Sequence, residues 1–480
     1  MFEVTYSRAP LYEALSENIK GDPISFHVPG HKYGKVFSNN AKSSFHSILE
    51  LDGTEIGRLD DLHAPEGVIK ESQDLASSYF ESDETFFLVN GSTAGNLAMV
   101  LSVCKPGEKI IIQRNCHKSV MNGIELAGAR PIFLSPLYEE ETKRYSKVSR
   151  DSVKRALEEH PDSKGVLLTY PDYFGRAYEL NEIADLVHAH KLPLLIDEAH
   201  GVHFHLDGSF PTSAMAAGAD VVVQSAHKMA PAMTMASYLH VKGDRVNINL
   251  IRHYLQVVQS SSPSYPLMAS LDLARAFMEG WGEAERLTLF SFIEEVRKAF
   301  GSFTSTWRLL PIGKYDDPLK LTLEVDEVSG FELSRFLEEV QVVPELATSH
   351  QVLLILGLEP SFDRKELERR LDSVDSRLKN TSNNATIREV NISFPEIQTL
   401  EMGYADMQRM KDVQMGWSQA VGCIAAEAII PYPPGIPLLM KGERISKIHY
   451  EHVLSLIDQG ARFQNVNIEQ GLRVFKGECL

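Results

Sequence analysis

The sequence predicts an α/β fold with a mostly parallel sheet in a large domain, followed by smaller α+β domains at the C-terminal end. Between residues 85 and 241, short runs of Val, Ile, Leu and Phe alternate with segments of helical periodicity. Such runs, bounded by turn residues, are typical of parallel strands that helices cover on both faces. The length of 480 residues leaves room for roughly two or three domains.

The elements of the large domain follow one another regularly. Residues 1–58 are rich in turn signals and predict an irregular N-terminal arm. The predicted strands are 85–89, 109–113, 130–134, 165–169, 192–196, 221–223 and 236–241, and the helices between them are 92–104, 117–128 and 181–190. In folds of this kind, ligands bind at the carboxyl ends of the strands.

The remainder of the chain predicts smaller α+β units. A long helical region past residue 271 leads to Trp307, and a β-α-β pattern follows at 320–325, 330–340 and 352–356, with a charged helix at 363–380. The Ser- and Asn-rich segment 380–386 predicts a linker. We therefore expect an arm at 1–58, a large domain at 59–295, a small domain at 296–380 and a C-terminal domain at 381–480.

The composition argues against several classes of protein: those that bind nucleic acids, those that span membranes and those that are secreted. Lys and Arg total 48 against 65 Asp and Glu, which gives a formal net charge of −17. An acidic surface repels phosphate backbones, so we expect no nucleic-acid partner. No stretch approaches the ~20 consecutive apolar residues of a membrane helix, and residues 1–20 lack the pattern of a secretory signal. We expect a soluble, cytoplasmic protein without a membrane partner.

The four cysteines are Cys104, Cys116, Cys423 and Cys479, and no two of them form a C-x-x-C pair. This spacing predicts neither a zinc cluster nor a disulfide framework. It is typical of a protein that resides in a reducing cytosol.

Four predicted strand ends carry polar residues suited to binding or catalysis. Residues 90–96 open a helix with small residues and two hydroxyls, which forms either a phosphate cradle or an ordinary helix cap. His117 follows the next strand, where a lone histidine is more often a satisfied polar residue. Asp197 ends an apolar strand, where a carboxylate is costly without a partner. Lys228 follows another strand and is either an amine nucleophile or a surface lysine.

Several other sites fit the sequence less well. Residues 197–200 spell Asp-Glu-Ala-His, as in helicase-type ATPases, but the P-loop that such ATPases need is absent. The dinucleotide-binding glycine pattern and the G-x-S-x-G pattern of hydrolases are absent as well. His200, His203 and His205 could indicate a metal, but no further ligand follows at a telling spacing, so we expect none.

Together, the four strand ends supply the groups that pyridoxal 5′-phosphate requires. The cofactor needs donors for its phosphate, a flat side chain against its ring, a carboxylate that keeps the pyridine nitrogen protonated, and a lysine for a Schiff base. Residues 90–96, His117, Asp197 and Lys228 provide these groups in chain order.

The sequence resembles the Orn/Lys/Arg decarboxylases, pyridoxal-phosphate enzymes of the aspartate-aminotransferase fold (fold type I). The matching motifs are spread along the chain: Phe26-His27-Val28-Pro29-Gly30-His31-Lys32, Asp60-Asp61-Leu62-His63-Ala64-Pro65, Asp197-Glu198-Ala199-His200-Gly201, Ser225-Ala226-His227-Lys228, Ser262-Pro263-Ser264-Tyr265-Pro266 and Tyr432-Pro433-Pro434-Gly435-Ile436-Pro437. The resemblance covers nearly the whole chain, which looks most like the short Gram-positive-type members.

The resemblance implies a role for each matched residue. Lys228 would form the Schiff base, Asp197 would pair with the pyridine nitrogen, and His117 would stack on the ring. His227 would lie beside the phosphate as a candidate proton donor, and His200 would contact the cofactor. The phosphate ligands would be Ser92, Thr93, Ala94 and Ser225, and a neighbouring subunit's phosphate would be reached by Ser262 and Ser264.

The resemblance also implies an activity. The chain would decarboxylate a basic L-amino acid, with arginine slightly favoured over lysine and ornithine, and its amine product would feed polyamine synthesis. A homodimer or a dimer of dimers is expected, because active sites in this fold form at a dimer interface. Two alternatives are another fold-type-I reaction, such as α-oxoamine synthesis, and a non-catalytic regulator that binds the cofactor.

Overall fold

The computed structural model describes residues 7–57, 59–303, 306–326, 328–379, 394–431 and 435–479. The predicted linker at 380–386 lies outside the described residues, as do residues 432–434 of the last motif. The chain divides into two compact units. The first comprises residues 1–103, 165–170 and 179–282, and the second comprises residues 104–164, 171–178 and 283–480. The four domain boundaries expected from the sequence stay predictions.

Helices and strands alternate along most of the chain. The helices are α1 (Pro10–Asn18), α2 (Lys42–Leu51), α3 (Val68–Phe80), α4 (Gly91–Val103), α5 (Lys118–Ala127), α6 (Arg150–Glu159), α7 (Leu180–Ala189), α8 (Ala226–Met229), α9 (Ile248–Val258), α10 (Tyr265–Glu279), α11 (Glu283–Gly301), α12 (Gly330–Glu339), α13 (Arg364–Lys379), α14 (Tyr404–Met407), α15 (Trp417–Ala420) and α16 (Lys447–Asp458). The strands are β1 (Glu84–Leu88), β2 (Lys109–Gln113), β3 (Arg130–Leu134), β4 (Tyr138–Glu139), β5 (Arg144–Tyr145), β6 (Val166–Thr169), β7 (Leu194–Asp197), β8 (Val221–Gln224), β9 (Ser237–Val241), β10 (Arg308–Leu309), β11 (Lys320–Glu324), β12 (Leu346–Ala347), β13 (Gln351–Ile355), β14 (Ile397–Thr399), β15 (Asp412–Met415), β16 (Cys423–Ala425) and β17 (Leu472–Cys479). The strands and helices predicted between residues 85 and 241 are confirmed, with ends that differ by no more than two residues.

In the first unit, the strands pair in the order β1-β9-β8-β7-β6. Strands β6, β7 and β8 are parallel to one another, and β9 is antiparallel to both of its neighbours. Strand β9 reverses direction because residues 225–236 contain only the one-turn helix α8, whereas a parallel connection needs a longer crossover. The predicted α/β fold with a mostly parallel sheet is confirmed, since all of these strands except β9 run in one direction.

Close packing fixes helix α4 against this sheet. A side chain at Gly95 would bring its Cβ to 2.8 Å from Val223 Cγ2 and 2.9 Å from Leu88 Cδ1. Only glycine therefore allows α4 to lie this close to β1 and β8. Strand β8 is itself fully buried. The N-terminus of α4 is therefore held near the carboxyl end of a strand that belongs to the rigid core.

The second unit contains several smaller sheets. Strand β3 pairs in parallel with β2 and antiparallel with β14. A separate antiparallel sheet has the order β10-β11-β13-β12, a third has the order β15-β17-β16, and β4 and β5 form a hairpin. The predicted β-α-β pattern at 320–356 is confirmed as β11, α12 and β13, and the two strands are antiparallel neighbours in this sheet.

The irregular arm expected at the N-terminus is partly wrong, because it contains α1 and α2. Pro10, which lies within this segment, is the first residue of α1, a position where proline is favoured. Leu11 and Leu15 of this helix are buried. The backbone N–H of Leu11 donates to Asp272 Oδ2 at 2.9 Å, which anchors the start of the helix to α10.

The expectation about cysteines is also wrong for one pair. Cys423 and Cys479 form a disulfide, and they are register partners of β16 and β17. The two cysteines are separated by 56 positions, and the sequence between them gave no indication of this register. Cys104 and Cys116 are free and buried.

Candidate active site

Three of the four polar strand ends lie level with one another in the first unit. Gln224 of β8 pairs with Tyr238 of β9, which in turn pairs with Phe87 of β1. Asp197, the last residue of β7, pairs with Val223 of β8. The carboxyl ends of β1, β7 and β8 therefore meet at one edge of the sheet, as the sequence predicted.

The start of α4 and the end of β8 form a cradle suited to a phosphate group. Ser225 Oγ donates to Ser92 Oγ at 2.8 Å. Helix α4 is 13 residues long, and the first backbone N–H groups of a helix, here near Thr93 and Ala94, lack intrahelical acceptors. Hydroxyls and free amides at a helix N-terminus favour an anion. The four predicted phosphate ligands are thus brought together.

Asp197 presents one unused oxygen. The side chain is 2% exposed, and its Oδ2 accepts a hydrogen bond from Asn96 Nδ2 at 2.9 Å. Its Oδ1 is buried and accepts no hydrogen bond from the described residues. A buried carboxylate oxygen without a donor is costly, so this atom fits the protonated pyridine nitrogen of pyridoxal 5′-phosphate, which would donate to it.

Lys228 lies next to a histidine from the neighbouring strand end. Its Nζ is 2.9 Å from His200 Nε2. His200 is buried in the turn after β7, and Lys228 is half-buried on α8. The predicted Schiff-base lysine and the predicted cofactor contact are therefore in direct hydrogen-bond contact.

His227 is held in a defined tautomer. Its Nδ1 lies 3.1 Å from the carbonyl oxygen of Ala236, and because a carbonyl only accepts, Nδ1 carries the proton. Burial and the nearby Lys228 lower the pKa of His227. The imidazole is therefore neutral at pH 7, with Nε2 as an acceptor.

The other predicted site residues have local roles in the structure. His117, in the second unit, is the N-cap of α5 and accepts from the backbone N–H of Ser119 at 3.3 Å. Ser264 is the N-cap of α10, and the backbone N–H of Ser262 donates to Ser260 Oγ at 3.1 Å. Their roles toward the cofactor stay predictions.

Two residues at this edge were missed by the sequence analysis. Asn96 lies one helical turn after Ser92, and this i, i+4 spacing could have indicated a shared face. Glu198 is fully buried, and its carboxylate accepts from the backbone N–H of Ala214 and from Gln224 Nε2, both at 2.7 Å. Burial raises the pKa of Glu198 to about 8. In the sequence, the only indication of Glu198 is its position directly after Asp197.

Comparison with known proteins identifies the family. The model of the Orn/Lys/Arg decarboxylase major domain matches residues 9–316, and that of the C-terminal domain matches residues 387–465. The chain belongs to the Orn/Lys/Arg decarboxylase family. This decarboxylase is therefore a carboxy-lyase that acts on an amino acid and depends on pyridoxal 5′-phosphate. The alternatives of α-oxoamine synthesis and a non-catalytic regulator are not supported.

Individual relatives agree with this family. The decarboxylase is 44% identical over 467 residues to YaaO of Bacillus subtilis strain 168, with 96% of this chain and 97% of that protein covered. It is 35% identical over 489 residues to an arginine decarboxylase of Bacillus anthracis, with 99% of each chain covered. The crystal structure of the Francisella novicida lysine decarboxylase LdcF has the same fold, with a TM-score of 0.79 at 20% identity over 97% of this chain and 81% of that one.

Two further observations concern the described part of the decarboxylase. None of its described helices has both the length and the apolar character needed to cross a bilayer. Among the described residues, no three His, Cys, Asp or Glu side chains come together in a way that could hold a metal ion.

Proposed function

We propose that this decarboxylase removes the carboxyl group of a basic L-amino acid and releases the corresponding amine as a precursor of polyamines. Arginine is favoured over lysine and ornithine. The support for arginine is the 35% identity, over nearly the full length of both chains, to a protein named arginine decarboxylase. The net charge of −17 attracts each of these cationic substrates.

The proposal for the site rests on Oδ1 of Asp197, which is buried and accepts no hydrogen bond from the described residues. When bound, pyridoxal 5′-phosphate supplies an electron sink for the charge that remains on the substrate Cα as carbon dioxide leaves. Asp197 would keep the pyridine nitrogen protonated, because a buried carboxylate favours a cationic partner over a neutral one. Asn96 would help to hold this carboxylate in position, because its Nδ2 donates to the other oxygen, Oδ2.

The remaining residues would bind and orient the cofactor. Lys228 would hold it covalently through its amine, and the hydroxyl and amide donors of the cradle would bind its phosphate. Those donors belong to Ser92, Thr93, Ala94 and Ser225. His117 would stack on the ring, and His227 would supply or accept a proton through its free Nε2, close to Lys228.

The active form is proposed to be a homodimer or a dimer of dimers. Three apolar side chains of the N-terminal arm, Ile24, Phe26 and Val28, are 84%, 95% and 66% exposed. Exposure of this extent on neighbouring residues is typical of a surface that another chain covers. Ser262 and Ser264 would then reach the phosphate in the partner subunit.

The test is amine formation by the purified full chain with added pyridoxal 5′-phosphate. Arginine, lysine and ornithine are offered separately, and the products are separated by chromatography. We expect the arginine product to form fastest. The Lys228→Ala variant should lose turnover, whereas Lys365→Ala, at an exposed position on α13, should retain it.

Two outcomes would contradict the proposal. Native turnover by Lys228→Ala would exclude Lys228 as the covalent attachment point. A higher rate with lysine or ornithine than with arginine would overturn the substrate assignment and leave the assignment of the site intact.

A further inference from the structure

We propose that His200 is the proton acceptor for the Lys228 amine and therefore a catalytic residue. The proposal rests on the proposed role of Lys228 and adds a base that the reaction needs. At pH 7 an ordinary lysine is an ammonium ion and has no lone pair with which to attack a carbonyl carbon. A nearby group must take its proton before it can react.

The contact between the two side chains suits a proton transfer. Lys228 Nζ is 2.9 Å from His200 Nε2. A protonated Lys228 has donors only, so toward it Nε2 would offer its lone pair and the ring proton would lie on Nδ1. The imidazole is then aimed at the amine, which is the arrangement of a general base and its substrate.

The turn after β7 holds the imidazole in this orientation. The backbone N–H of Gly201 donates to the carbonyl of Glu198 at 3.0 Å, and that of Phe204 donates to the carbonyl of Gly201 at 2.9 Å. A Cβ at position 201 would lie 2.6 Å from Glu198 Cγ, so only glycine permits the turn. The His200 side chain, 5% exposed, is therefore positioned by packing as well as by the hydrogen bond.

One short turn would thereby serve both ends of the cofactor. Asp197 would hold the pyridine nitrogen, and His200, three residues later, would control the amine that attaches the cofactor. His200 Nε2 would take a proton from Lys228 Nζ, which leaves the amine with the lone pair that attachment to the cofactor's aldehyde requires. The new carbon–nitrogen bond would replace the carbonyl bond, whose oxygen would leave as water, so no oxidant or reductant is needed. When the substrate amine replaces Lys228, His200 would return the proton to Nζ.

The test follows attachment of added pyridoxal 5′-phosphate to the full chain after removal of its cofactor. Attachment is read from the absorbance of the bound cofactor, so decarboxylation is not required. Wild type, His200→Gln and His200→Ala are compared from about pH 6 to about pH 10, which brackets the ordinary pKa values of histidine and lysine. Glutamine can accept the same hydrogen bond but cannot take the proton. His205→Gln, in the same segment, is the matched control.

We expect attachment in His200→Gln to be about 100-fold slower at pH 7. The deficit should shrink toward pH 10, because an ordinary lysine is increasingly deprotonated by solvent as the pH approaches its pKa. Added imidazole should restore part of the rate in His200→Ala, because the deleted ring leaves room for it. His205→Gln should behave as wild type.

The proposal is overturned if His200→Gln attaches the cofactor at the wild-type rate, if its deficit is equal at every pH, or if imidazole has no effect on His200→Ala. An equal deficit at every pH would mean that His200 is only structural. Failure of the proposed function gives a different result: after reduction with borohydride, the cofactor would be found on a residue other than Lys228.

Discussion

Asn96 donates from Nδ2 to Asp197 Oδ2 at 2.9 Å, and this leaves the buried Oδ1 of the same carboxylate for the cofactor. Without Asn96 the carboxylate could rotate and would lose a hydrogen bond to a charged group, which contributes about 1.5–3 kcal/mol. We therefore expect Asn96→Ala to bind pyridoxal 5′-phosphate roughly 10- to 100-fold more weakly. Equilibrium titration of the cofactor-free protein measures this effect.

Asn122→Ala is the control for this variant, because Asn122 is an exposed asparagine on α5. It should bind the cofactor as tightly as wild type. Unchanged affinity in Asn96→Ala would show that packing alone positions Asp197.

The two hydroxyls of the phosphate cradle should act as a coupled pair. Since Ser225 Oγ donates to Ser92 Oγ, removal of either hydroxyl also changes the hydrogen bonds of the other. Ser92→Ala and Ser225→Ala should each weaken cofactor binding about tenfold. The double variant should lose less than the product of the two effects, as neighbouring residues in one network do.

A double-mutant cycle on cofactor affinity measures this coupling. Ser102→Ala is the matched control, because Ser102 lies at the other end of α4 and donates to the carbonyl of Met99. Strictly additive losses at Ser92 and Ser225 would argue against a shared phosphate.

The sequence predicted where the candidate site residues lie along the strands, but not which side chains they contact. Asp197 and Lys228 were predicted as site residues because each lies at or just after the end of a buried apolar strand, and such runs are local in the sequence. The contact between Lys228 and His200 depends on β7 and β8 being neighbours, which no local pattern encodes. Asn96 was missed because a polar residue within a helix usually faces solvent.

The fold likewise shows which features were missed in the sequence and why. Helix α1 was missed because a nine-residue helix gives a weak periodic signal and begins with a proline. The Cys423–Cys479 disulfide was missed because it depends on the pairing of β16 with β17. Local hydrophobic patterns predict elements, whereas the pairing of distant elements is decided by packing.

Glu198 should make the stability of the protein depend on pH in an unusual direction. Burial raises its pKa from an ordinary value of 4.5 to about 8. Between these values the folded protein holds a proton that the unfolded chain has lost, so the Glu198 contribution to the free energy of unfolding falls as pH rises. Glu198→Gln, which is uncharged at every pH, should remove this trend.

Urea denaturation from about pH 5 to about pH 9 measures this effect. Relative to Glu198→Gln, the wild type should lose a few kcal/mol across this range, since one pKa unit corresponds to about 1.4 kcal/mol. Glu159→Gln changes an exposed position at the end of α6. Its free energy of unfolding should change with pH as that of wild type does. A wild type that gains stability against Glu198→Gln as pH rises would mean that Glu198 is ionised in the fold.

The exposed apolar residues of the N-terminal arm should decide the oligomeric state. Phe26 is 95% exposed in the single chain, and its neighbours Ile24 and Val28 extend the same apolar segment. A glutamate at position 26 would place an unpaired charge in a dimer interface, which costs several kcal/mol. We expect Phe26→Glu to weaken the dimer at least about 100-fold and to shift the protein to monomer in light scattering. Val466→Glu is the control, because this position is also exposed, at 85%, but is far from the arm in sequence, and this variant should remain a dimer. A Phe26→Glu protein that is still dimeric would show that the interface lies elsewhere.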